Sequence, residues 1–132
     1  MLSALERNKA VVRRLVDEVM TGGRLEVLDE LYAPALAQAA RDWIAPFRQS
    51  FPDVAMRIVD MVAEGDAVVA RFTCTGTHLG TWLGHPPTGR RFRVAEVYWF
   101  RFDDEGRIVR AWGLEDTLKR LEQLGLRGTV GG

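Results

Sequence analysis

Residues 76–89 read GTHLGTWLGHPPTG, and these fourteen positions hold four glycines, two adjacent prolines, both histidines of the chain and one of its four tryptophans. Glycine allows close backbone approach and proline fixes φ, so the segment is a rigid loop. It is either the lip of a pocket, with Trp82 and the imidazoles of His78 and His85 held over a cavity, or a wide hairpin loop with a structural aromatic. On both sides of it apolar residues recur at every second position, a strand period that holds from Val54 to about Leu114. Upstream, Val54–Glu64 and Ala67–His78 are joined at Gly65-Asp66, a dipeptide suited to a tight hairpin turn. In the second of these strands Val68, Ala70, Phe72, Cys74, Gly76 and His78 share one face, which points His78 inward. Downstream, Arg91–Phe102 places Phe92, Val94, Glu96, Tyr98, Phe100 and Phe102 on one face. Asp103-Asp-Glu-Gly106 then turns the chain into a fourth strand, Arg107–Leu114.

Before Val54 the period is helical. Ser3-Ala-Leu-Glu6 has the spacing of a capping box, and Leu5, Val12, Leu15, Val16 and Val19 form one stripe that ends at Gly22-Gly23. A short second helix carries Leu25, Leu28, Leu31 and Tyr32 and closes at Pro34. A third, Ala35–Phe51, sets Trp43, Phe47 and Phe51 on one stripe, as core or as the apolar wall of a ligand cavity. At the other end Glu115 or Asp116 starts a helix with Leu118, Leu121 and Leu124, stopped by Gly125. The pattern predicts an α+β domain over residues 1–125 with a loose tail at 126–132: a cone-shaped, curved antiparallel sheet whose concave face is covered by the N-terminal helices. The outer face keeps Val59, Met61, Val97 and Trp99 among arginines and threonines, which predicts a symmetric dimer through that face.

Composition narrows the partners. Among 132 residues, eighteen basic and eighteen acidic side chains cancel, so a basic footprint for nucleic acid is missing. No apolar run approaches the roughly 20 residues of a membrane helix, and MLSALERNKA lacks the apolar centre of a signal peptide, so a cytoplasmic location is expected. The single cysteine, Cys74, reads as a small buried apolar group.

Glu96 is the polar member of an apolar face. A carboxylate there needs a partner such as Arg110, Tyr98 or Trp112, or else its desolvation raises its pKa and makes it a general acid or base. Asp116 sits where an N-cap would sit, yet regular alternation from Trp112 points it into the cavity. A one-residue slip would exchange Arg110, Trp112 and Asp116 for Val109, Ala111 and Glu115 inside. The residues have no metal-ligand spacing, no serine elbow and no phosphate-binding glycine signature, so no metal site is expected.

The run Gly76-Thr-His78-x-Gly80 … Gly84-x-Pro-Pro-Thr-Gly89, with Arg101-Phe-x-x-x-Gly106-x-Ile108, Trp112-x-x-x-Asp116 and Gln123-Leu-Gly125, resembles the SnoaL-like polyketide cyclases. These belong to the cone fold of nuclear transport factor two, ketosteroid isomerase and limonene epoxide hydrolase. The resemblance covers roughly Phe51 to Gly125 and the leading helix. It implies a cofactor-free enzyme that closes a ring by intramolecular aldol condensation on a polyketide ester, with Asp116 as acid/base and His78 and Glu96 as supporting polar groups. Trp43, Phe47, Trp82, Tyr98, Arg110 and Trp112 would contact a small hydrophobic, even polycyclic, substrate. A non-catalytic binding protein on the same fold, or isomerase or epoxide hydrolase chemistry, stays open.

Overall fold

The computed structural model describes residues 2–126. Helix α1 spans Ala4–Arg14, and the Ser3 hydroxyl caps it by accepting from the Glu6 amide at 3.1 Å. The chain does not continue as the uniform α-helix that the stripe suggested. It widens into a π-helical segment, Leu15–Thr21, closed by the Gly22 amide donating to the Asp17 carbonyl five residues back. The wider turn brings Leu15, Val16, Val19 and Met20 all into the core. A 3₁₀ turn at Leu25–Val27 leads into the one-turn α2, Leu28–Leu31. Pro34 opens α3, Pro34–Ser50, rather than closing the helix before it, because proline's missing N–H costs nothing at the first helical position.

Strands β1 (Ala55–Glu64), β2 (Ala67–Thr77), β3 (Arg91–Phe102) and β4 (Ile108–Glu115) form one antiparallel sheet in the order β1-β2-β3-β4. The central pair runs unbroken from Ala67 opposite Arg101 to Thr77 opposite Arg91. Each outer strand carries one extra residue, Val59 in β1 and Val109 in β4. Such β-bulges flip the alternation beyond them. Met61 therefore faces inward against the core, and Val62 takes its place outside at 67% exposure. On β4, Arg110 lies opposite Arg101 and Trp112 opposite Trp99, on the outer face, while Ala111, Gly113 and Glu115 take the inner positions. The inward placement expected for Arg110 and Trp112 is corrected accordingly.

The inner face packs Phe72, Phe92, Phe100 and Phe102 against the helices. Fully burying one such side chain stabilises by roughly 1.5–3 kcal/mol. Helix α4, Thr117–Gln123, docks on this face through Leu121 and Leu124. Gln123 also exchanges hydrogen bonds with both backbone groups of Arg93 on β3. Leu126 packs against the core; the rest of the expected tail, 127–132, lies outside the described residues.

Candidate active site

A cavity of about 330 Å³ lies between the inner face of the sheet and the helical layer. Ligand sites run from about 300 to 1,000 Å³, so this one suits a small molecule. Its walls are apolar: Val16 and Met20 from the π-helical segment, Leu36 and Ala40 from α3, Phe72 and Phe100 from the sheet. Ala39 and Trp43 on α3 and Ala111 and Gly113 on β4 line it yet are exposed, so it opens between α3 and β4. Tyr98 forms part of the wall because Gly113 opposite has no side chain; a Cβ there would stand 2.6 Å from the tyrosine ring. The Trp43 ring stacks on Tyr98 at a centroid distance of 6.2 Å and 15° from parallel. Of the residues expected to bind substrate, Trp43 and Tyr98 line this space, and Trp112 borders it at the β4 edge although it holds an outer-face position opposite Trp99.

One step along β3 from Tyr98, and directly opposite Phe72, Glu96 is buried at 4% exposure. Its partner is none of those expected. Arg120 of α4, fully buried, donates to Glu96 at 2.8 Å and to Glu115 at 2.6 Å. Glu96 and Glu115 face each other across β3 and β4, and the bulge at Val109 is what turns Glu115 inward. The guanidinium is also enclosed by the rings of Phe92, Phe47 and Trp82, at 4.5, 5.2 and 5.6 Å. Burial raises the Glu96 pKa to about 7, Glu115 pushes in the same direction, and Arg120 opposes both. Glu96 can thus hold or release a proton near neutrality, beside two residues that wall the cavity.

Residues 10–124 match the model of the SnoaL-like polyketide cyclases. The chain belongs to this family. It is 32% identical over 110 residues to the aklanonic acid methyl ester cyclase DnrD of Streptomyces peucetius, covering 82% of this chain and 72% of that protein. Among solved structures, TsrD from Streptomyces laurentii is 28% identical with a TM-score of 0.83, covering 96% of this chain and 99% of that one. A structure from Jannaschia sp. CCS1 reaches a TM-score of 0.86 at 25% identity, covering 94% and 95% of the two chains.

Against the SnoaL-like pattern, the remaining expected residues divide. Asp116 is exposed and caps α4, its carboxylate accepting from the Lys119 amide at 3.1 Å. His78 continues the inner face just past β2 and is fully buried, its Nδ1 accepting from the Thr88 amide at 3.2 Å and its ring against Phe51. Phe47 and Trp82 pack around Arg120 and Phe51. His78, Phe47 and Trp82 belong to the packing beside the cavity, Asp116 to the exposed start of α4, and Arg110 to the opposite face of the sheet. Among the described residues no three His, Cys, Asp or Glu side chains are grouped to hold a metal ion. No helix among them is long and apolar enough to cross a membrane. Arg120 and Tyr32 were missed from the sequence, while Glu115 entered only as the inward residue of a one-residue slip, the phase that β4 adopts at Ala111 and Glu115. The available signal was Glu96 itself, since a lone carboxylate on an apolar face requires a cation, and α4 brings one from twenty-four residues away.

Proposed function

We propose that this chain is a cytoplasmic, homodimeric cyclase that closes a ring by intramolecular aldol condensation on a small polyketide ester, using no cofactor. The single observation that carries this reading is an apolar cavity of about 330 Å³ with a buried carboxyl, Glu96, placed next to its wall residues Phe72 and Tyr98 and pushed up to a pKa of about 7 by burial. A carboxylate there removes a proton from the carbon between two carbonyls. The resulting enolate carbon attacks a ketone carbon of the same molecule, forming the C–C bond, and the alkoxide produced takes a proton back from the carboxyl. Atoms balance without an added reactant. The low dielectric strengthens each electrostatic contact made to the developing enolate. The name of the Streptomyces peucetius relative, a methyl ester cyclase, supports the substrate class. Geometry favours Glu96 over Asp116 as the acid/base, because Asp116 is exposed and engaged as a helix cap.

Parallel assays of Glu96→Gln and Asp116→Asn on a polyketide methyl ester test this. The expected result is a loss of 10²-fold or more in kcat for Glu96→Gln. Asp116→Asn keeps its cap and most of its activity, since asparagine caps as well as aspartate. The opposite pattern, with activity lost only in Asp116→Asn, assigns the base to Asp116, as the family resemblance implies. Equal turnover by wild type and both variants refutes carboxylate catalysis.

A further inference from the structure

Arg120 is the cation that Glu96 meets, and Glu96 does not have it alone. The guanidinium sends one terminal nitrogen to each carboxylate, Nη1 to Glu115 at 2.6 Å and Nη2 to Glu96 at 2.8 Å. Its Nε meets no acceptor among the described residues. Neither carboxylate therefore receives the two-bond fork that makes an arginine pair strong, and the shorter contact goes to Glu115. The two acids also differ in their access to water. The Glu115 side chain is 31% exposed and that of Glu96 4%, while Arg120 between them is fully buried. Two further titratable groups share the inner face beside Glu96, Cys74 on β2 and Tyr98 on β3 itself. Burial pushes both of them up, so both are neutral. Among the described residues, the charge around Glu96 is set by Arg120 and Glu115.

One guanidinium balances one negative charge. With both carboxylates ionised, a net negative charge would remain in a cluster whose cation and one of whose acids are out of reach of water, so one carboxyl binds a proton. Water solvates a charge on Glu115 but not one on Glu96, which places the proton on Glu96. If Glu115 were uncharged, Arg120 and Glu96 would balance each other as a plain buried ion pair, and a carboxylate held in that way is a poor base. We propose that Glu115 is a positioning residue that does not touch substrate: by engaging Arg120 from the solvent side it prevents the guanidinium from fixing Glu96 as a permanent anion, and so keeps Glu96 able to take up and return a proton. Burial and Glu115 both raise the Glu96 pKa against the pull of Arg120, in keeping with this division. The bulge at Val109 makes it possible, since it turns Glu115 to the inward position opposite Glu96. The proposal rests on Glu96 being the acid/base of the cyclase described above.

Carbon-13 NMR of the glutamate carboxyls, followed through a pH titration, compares wild type with Glu115→Gln and Glu115→Asp. The Glu96 signal is assigned by its loss in Glu96→Gln, and thermal melts confirm that each variant is folded. Glu96 is expected to titrate near pH 7 in wild type, about one pH unit or more lower in Glu115→Gln, and most of the way back in Glu115→Asp, which restores the charge. On a polyketide methyl ester at pH 8, Glu115→Gln lowers kcat several-fold with KM held within about twofold, and the low-pH limb of its rate profile moves down with the titration. Loss of packing alone would move neither the titration nor the limb, and aspartate would not restore them. An unchanged Glu96 titration in Glu115→Gln, or a wild-type protein in which the proton near pH 7 sits on Glu115 instead of Glu96, overturns the proposal. The two readings fail separately: a shifted titration in a protein that turns over no ester refutes the cyclase alone, and turnover that requires Glu96 with an unshifted titration refutes the role of Glu115 alone.

Discussion

Replacing Arg120 by methionine removes the buried cation that joins Glu96 to Glu115. Arg120 is 0% exposed and Glu96 4%, so neither can turn to water when the other is lost. Breaking a buried pair in this way costs about 3–5 kcal/mol. For a chain of 132 residues, with an unfolding entropy near 2.1 cal/mol/K per residue, that is a fall in Tm of about 10–20 °C. The loss also depends on pH, in a direction the cluster fixes. Glu96 has its folded pKa raised from 4.5 to about 7 by burial and by Glu115, so its contribution is fully present below about 4.5 and is lost as pH rises through about 7. Without Arg120 the larger influence holding that pKa down is gone and only the Cys74 hydrogen bond still lowers it, so ionised Glu96 is penalised more, and the damage is larger at pH 8 than at pH 5. Urea unfolding followed by circular dichroism at the two pH values measures both effects. Glu96→Leu combined with Arg120→Met should be more stable than Arg120→Met alone, because the orphaned charge leaves with its partner. A loss below about 1 kcal/mol, the same loss at both pH values, or no recovery in the double variant refutes the reasoning, since overpacking or cavity effects predict none of that pattern.

Two further outcomes follow from the sheet. Gly113→Ala places a Cβ 2.6 Å from the Tyr98 ring, which must be displaced; stability in urea unfolding falls by about 1–3 kcal/mol, and unchanged stability would show that the ring does not lean on β4. On the outer face, Trp99 and Trp112 stand opposite each other beside Val97 and Leu114, with Trp112 60% and Leu114 64% exposed. Trp112→Arg is expected to convert a dimer into a monomer in sedimentation velocity, and a wild-type chain that sediments as a monomer at micromolar concentration removes the dimer from the proposal.

The fold was legible wherever local chemistry and periodicity agreed. The Ser3 cap, the Gly65-Asp66 turn and the alternation of β3 each follow from a few adjacent residues, and each recurs in the structure. What the sequence hid was a phase. A bulge residue carries no side chain signature of its own, and Val59 and Val109 are ordinary strand residues, so alternation counted through them places Met61, Arg110 and Trp112 on the wrong faces. Outer strands tolerate the extra residue because only one neighbour constrains their ladder, whereas β2 and β3, paired on both sides, keep strict register. The same phase governs the site. With Val109 extra, Glu115 comes to face Glu96, and two carboxylates on adjacent inward positions create the demand that Arg120 meets from α4. A cation supplied across twenty-four residues leaves no local pattern, so the chemistry at this end of the cavity becomes visible only when the helix is docked. The bulge on β4 thus does more than curve the sheet: it decides which carboxylate stands beside Glu96, and through that, where the Glu96 proton is held.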